Sequence, residues 1–179
     1  MRDRKLRNIE LGRIGPEQYR ALPPSGVVLV LDNIRSAHNV GSAFRSADAF
    51  KVDRVFLCGI SAVPPSPEIH KSALGAENSV PWEHCDDTLA CVRRLQQEGW
   101  TVVCAEQTEK ALPLQDWRRE IGKRYALVFG NEVDGVRQDV VDAADFCVEI
   151  PQYGTKHSLN VSVSVGIVLW QLLSRTGAA

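Results

Sequence analysis

Short apolar runs alternate with stretches of helical periodicity along this chain, and that alternation limits its fold more than any other feature. The runs are residues 27–31, 54–59, 100–105, 125–130 and 146–150. All are short and bounded by polar or Gly/Pro residues, which is the strand signature. Residues 27–31 are apolar without interruption, as expected of a strand covered on both faces. Between the runs, residues 39–50 place Ala43, Phe44, Ala47 and Phe50 at i, i+3 or i+4 spacings. Residues 87–97 turn Leu89, Val92 and Leu95 inward, and Gly99 ends the pattern. Residues 137–144 and 159–173 also read as helices. The last is ambiguous at its start, because Val161, Val163 and Val165 alternate with serines as in a strand, before the apolar run Ile167–Leu173 argues for a buried helix. Strands separated by helices predict an α/β domain, a parallel sheet with helices on both faces.

In such sheets ligands sit beyond the carboxyl ends of the strands. The loops after Leu31, Ala105, Phe129 and Ile150 therefore carry the candidate site. The first of them, residues 32–38, holds no glycine, so the GxGxxG dinucleotide fingerprint is missing, and no GxxxxGK[ST] phosphate loop occurs. No apolar run reaches the 18 or so residues of a membrane span, and the charged start leads to no signal segment, which predicts a cytoplasmic protein. The five cysteines form no CxxC pair, and His84-Cys85 lacks partners at zinc spacing, so no metal site is expected.

The formal net charge of −1 argues at first against a nucleic-acid partner. It divides unevenly. Residues 1–25 carry six basic and three acidic side chains, a net +3, which leaves −4 for the remainder. Pro23-Pro24-Ser25-Gly26 separates the two parts. Residues 1–25 thus read as a basic arm and residues 26–179 as the domain.

Three segments carry the chemistry. Asn39…Arg45 opens the first helix, with Asn39 a candidate cap and Gly41 a point of close backbone approach. Gly130-Asn131-Glu132-Val133-Asp134-Gly135 follows a strand as a glycine-flanked turn. Ser158-Leu159-Asn160-Val161-Ser162-Val163 leads into the last helix. Each has a plainer reading as a capped helix, an ordinary turn or a packed helix. His38 and His157 read as surface or capping residues, and the four tryptophans as core or dimer packing.

Together and in this order, the segments resemble the SpoU/TrmH group of the SPOUT RNA methyltransferases over residues 27–175. Lys71–Glu77 also looks like a family segment on the substrate side. The resemblance implies a C-terminal deep trefoil knot and a homodimer with each site near the interface. It implies S-adenosylmethionine as cofactor and methyl transfer to a ribose 2′-hydroxyl of tRNA or rRNA. By the same resemblance Arg45 is the catalytic arginine, with Asn39, Glu132, Ser158 and Asn160 around it, Glu132 pairing with Arg45 or its neighbourhood. The cofactor would lie against Glu106, Gly130, Asn131, Ile150, Gln152, Ser158 and Leu159, and RNA against Arg35, Arg45 and Lys71. The rival reading is a catalytically silent RNA-binding protein on the same fold.

Overall fold

The computed structural model describes residues 3–174. Arg2 of the basic segment and residues 175–179 lie outside it. Seven strands form one sheet in the order β3-β2-β1-β6-β4-β7-β5, every neighbouring pair parallel. They are β1 (Val27–Asp32), β2 (Arg54–Cys58), β3 (Trp82–Cys85), β4 (Thr101–Ala105), β5 (Leu112–Pro113), β6 (Tyr125–Phe129) and β7 (Phe146–Glu149). The helices are α1 (Pro16–Ala21), α2 (Ala37–Ala49), α3 (Pro67–Ala73), α4 (Ala76–Ser79), α5 (Thr88–Gln97), α6 (Gln138–Ala143) and α7 (Val161–Leu173).

The two-residue period of the strands divides their side chains between two cores. Val27, Leu29 and Leu31 of β1 join Tyr125, Leu127 and Phe129 of β6 under α2 and α7. Val28 and Val30 join Ala126 and Val128 under α5 and α6. Every residue of β1 and β6 is buried, as the unbroken apolar runs 27–31 and 125–129 require, and Asp32 at the end of β1 is buried with them.

The five expected strands are all present, and two edge strands add to them. β3 reads Trp-Glu-His-Cys, with alternate residues exposed, and β5 has two residues. Neither has an apolar run because neither is covered on both faces. Helices α3 and α4 fill a stretch that the periodicity left unassigned. Ser66 caps α3 and Pro67 takes its first position. Gly41 admits α3 against α2, since a Cβ there would stand 2.4 Å from the Ile69 carbonyl oxygen.

The basic segment does not stand wholly apart. Tyr19 of α1 is buried in the α2/α7 core, and its hydroxyl donates to the carbonyls of Val52 (3.0 Å) and Ala47 (3.3 Å). At the other end of the chain α7 resolves the ambiguous serine–valine alternation as helix. Asn160 caps it, accepting from the Ser162 N–H at 2.9 Å. Val165, Val168, Leu169 and Leu172 face the core, while Val163, Ile167 and Trp170 stay exposed.

Candidate active site

A cavity of about 480 Å³ opens beyond the carboxyl ends of β4, β6 and β7. These strands are adjacent, so their three loops converge from one side. The size lies in the usual range for small-molecule sites of about 300–1,000 Å³. All the expected cofactor residues line it: Glu106, Gly130, Asn131, Ile150, Gln152, Ser158 and Leu159. Glu132 and Asn160 line it too. Asn39, Arg45, Arg35 and Lys71 do not.

The turn after β6 is built by close approach. A Cβ on Gly130 would stand 1.9 Å from the Gly135 carbonyl carbon and 2.0 Å from the Val136 nitrogen. Asn131 and Gly135 exchange both backbone hydrogen bonds, each 3.1 Å. The Asn131 side-chain oxygen accepts from the N–H groups of Val133 (2.8 Å) and Asp134 (2.9 Å), so it holds the turn rather than reaching outward. Glu106 ties this turn to β4: its Oε2 accepts from Val136 N–H at 2.9 Å and its Oε1 from Gln107 N–H at 2.9 Å. Gly135 has φ +69 and would place a Cβ 2.3 Å from Glu106 Oε2. Glycine is required there on both counts.

By contrast, the loop after β7 is lightly tied. Among the described residues, its only hydrogen bond between 151 and 159 is Gln107 Nε2 donating to the His157 carbonyl at 3.0 Å. Its backbone N–H and C=O groups therefore remain open to a ligand. Ser158 is exposed, and among the described residues it has no hydrogen-bond partner.

The three segments meet at the cavity rim in one polar chain. Asn160 Nδ2 donates to Asn39 Oδ1 at 3.1 Å, and Asn39 Nδ2 donates to Glu132 Oε1 at 2.7 Å. Burial opposes the charge on Glu132. The Asn39 amide and the backbone N–H groups of Glu132, Ser36 and Arg35 outweigh it and hold the carboxyl below its ordinary value. Two expectations change here. Helix α2 starts earlier than the periodicity suggests, so its cap is Ser36, whose hydroxyl accepts from Asn39 N–H at 3.2 Å. Asn39 is thereby freed to face Glu132. Glu132 in turn pairs with Asn39 and not with Arg45.

Arg45 stands exposed on α2, and among the described residues it has no hydrogen-bond or ion-pair partner. It is six residues, or about 1.7 turns, from Asn39, so the two do not share a helix face. Arg35 is exposed at the entry to α2 and Lys71 on α3. Sequence reasoning did not single out Val136, whose N–H anchors Glu106, or Glu149, which also lines the cavity. Neither lies in a motif.

A parallel α/β sheet whose three loops converge on a glycine-built turn defines an α/β domain with a cavity of small-molecule size beyond its strand ends. Residues 26–170 match the model of the SpoU rRNA Methylase family, and the chain belongs to that family. It is 34% identical over 154 residues to the 23S rRNA (guanosine-2′-O-)-methyltransferase RlmB of Xanthomonas axonopodis pv. citri, covering 85% of this chain and 60% of that protein. The RlmB of Nitrosomonas europaea is 36% identical over 162 residues, covering 88% and 61%. The chain thus spans about three-fifths of the length of these curated relatives. Among solved structures, an AdoMet-bound rRNA methyltransferase from Sinorhizobium meliloti superposes with TM-score 0.77 at 25% identity, covering 86% of this chain and 58% of that one. The A. aeolicus TrmH/SpoU tRNA modifying enzyme shares the fold, with TM-score 0.76 at 24% identity over 87% and 79% of the two chains.

Proposed function

We propose that this chain transfers a methyl group from S-adenosylmethionine to a ribose 2′-hydroxyl of RNA, in the cytoplasm, with ribosomal RNA as the favoured substrate. The observation that carries this reading is the Asn160–Asn39–Glu132 chain, which joins all three family-like segments at the rim of one cavity. The names of the curated relatives support the substrate class.

The residues present fit the cofactor. Val148, Ile150 and Leu159 offer an apolar wall, the loop after β7 offers open backbone donors and acceptors for an adenine edge, and Glu149 places an acid beside a cationic ligand. Gly130, Asn131, Gln152, Ser158 and Glu106 complete the cradle, Glu106 and Asn131 by holding the turn. When bound, the cofactor supplies an activated methyl carbon on sulfur. The protein then has to place the hydroxyl at about 3–3.5 Å, which contributes about 7–11 kcal/mol of barrier lowering.

A guanidinium keeps its proton in proteins and is therefore a poor base. The unpartnered Arg45 guanidinium suits two other roles: gripping a substrate phosphate in its planar fork and stabilising the alkoxide as it forms. Glu132 fixes Asn39, Asn160 fixes the start of α7, and Ser158 faces the ribose. Arg35 and Lys71 take RNA phosphates, and the basic arm adds further positive charge for the same partner. The exposed α7 stripe Val163, Ile167 and Trp170 supports a homodimer that brings Arg45 near a shared site, and the deep trefoil knot completes this picture of the C-terminal part.

The test is Arg45→Ala with tritiated cofactor and ribosomal RNA. Cofactor affinity stays within about threefold, while methyl transfer falls by at least about 100-fold, the scale of losing one oxyanion donor. If wild-type protein labels no RNA, the silent RNA-binding reading replaces this one.

A further inference from the structure

At the β3 edge of the sheet lies a cluster of three thiols that the proposed reaction does not use. Cys58 ends β2 and Cys85 ends β3, and the two are register partners across the parallel pair. Cys91 descends on them from the first turn of α5. The three Sγ atoms lie within 4.8 Å of one another. Cys58 and Cys91 are buried, and Cys85 is half-buried, giving access from solvent. Widely separated cysteines thus meet in space, which a search for CxxC spacing overlooks.

The geometry suits a thiophilic ion. Zinc–sulfur bonds of about 2.3 Å set tetrahedral thiolates about 3.8 Å apart, so each sulfur pair must close by at most about 1 Å. Glu83 Oε1 stands 3.8 Å from Cys85 Sγ and can supply an oxygen for a fourth position. Arg94 Nη2 lies 3.6 Å from Cys85 Sγ and 2.8 Å from Glu83. Three thiolates and the Glu83 carboxylate around a divalent ion carry a net charge of −2, which the Arg94 and Arg54 guanidinium groups beside Glu83 offset.

We propose that Cys58, Cys85 and Cys91 bind a thiophilic divalent cation, with zinc the fitting ion, which staples edge strand β3 and helix α5 to the sheet. Such a staple answers a structural need. β3 has four residues, an open outer edge and alternate side chains in water. Thiols bind such an ion as thiolates, so binding displaces protons and the affinity rises with pH.

The experiment uses the full chain, reduced and freed of metal, titrated with Co²⁺ as a spectroscopic probe. One equivalent is expected to produce a thiolate-to-cobalt charge-transfer band and tetrahedral d–d absorption, both removed by Zn²⁺. Cys85→Ser and Cys91→Ala are each expected to weaken binding by at least about 100-fold, above the 10–100-fold range for losing an outer-shell partner. Cys147→Ser leaves the bands in place. Circular dichroism confirms that each variant is folded, the half-buried Cys85 being the mildest change. Absence of the charge-transfer band in the parent overturns the site, as does a band that survives Cys85→Ser or disappears with Cys147→Ser.

Discussion

Gly130→Ala separates two physical effects that have opposite signs. Gly130 lies outside the left-handed region, so its backbone accepts alanine. On backbone entropy alone, alanine would stabilise the protein by about 0.4–1 kcal/mol. The added methyl, however, would stand 1.9 Å from the Gly135 carbonyl carbon and 2.2 Å from its oxygen. Ordinary contact begins near 3.5 Å, so residues 135–136 must retreat by about 1.5 Å. That retreat breaks the Asn131–Gly135 backbone pair and the Val136-to-Glu106 bond. Water replaces the two turn bonds, so most of the loss comes from the charged one, worth about 1.5–3 kcal/mol. Net destabilisation of about 2 kcal/mol is expected in urea unfolding, inside the range for an overpacked site. Calorimetry should show weaker S-adenosylmethionine binding, because the displaced turn forms one wall of the cavity. Gly154→Ala is the internal control: no atom lies within 4 Å of its added Cβ, and its φ is not positive, so it should be neutral or slightly stabilising. A Gly130→Ala protein at or above wild-type stability, with cofactor affinity intact, would refute the steric account.

Three shorter predictions test other parts of the structure. Asn39→Ala removes the main hydrogen bond holding Glu132 low while burial continues to act, so the carboxyl pKa rises, as carbon-13 NMR titration will read. In the parent, Glu132 contributes stability fully above its ordinary value of 4.5 and loses it as pH falls through the depressed folded value; in the variant the folded value moves up toward 4.5, so the acid-side loss is smaller and ends at higher pH, and an unchanged titration contradicts the assignment. Tyr19→Phe deletes the hydroxyl that caps two backbone carbonyls in the core and should lower stability by about 1–2 kcal/mol in urea melts, whereas no change would show α1 to be loosely held. Removing residues 1–14 should leave the unfolding midpoint alone but flatten the salt dependence of RNA binding, and an equal slope would exclude a phosphate-contacting arm.

The central strands were legible in the sequence because they are buried on both faces and are built mainly of apolar residues. The runs 27–31 and 125–129 are the clearest cases. β3 and β5 were illegible for the opposite reason, since a half-exposed edge needs no apolar run. Strand order was not legible either, because periodicity says nothing about which strands are neighbours. The cavity residues followed from the family-like segments and the rule for loops beyond the strand ends. What joins them did not. Asn39 bonds to partners 93 and 121 positions away, a pairing that only the fold creates. The helix start was misjudged by the same mechanism: Ser36, not Asn39, takes the capping role, and that substitution is what aims Asn39 at Glu132.

The position of β6 also has a consequence for how the chain reaches its native state. β1 and β4 are not neighbours; each pairs with β6, which is made after both. Until residues 125–129 leave the ribosome, the sheet exists only as β3-β2-β1 and a detached β4. The inner edge of β1, apolar from Val27 to Leu31, waits uncovered through that interval. Closing it requires a long-range insertion, which makes for slow folding and favours pairing with other chains meanwhile. Folding yield should therefore fall with nascent-chain crowding more steeply than the stability of the finished sheet would indicate.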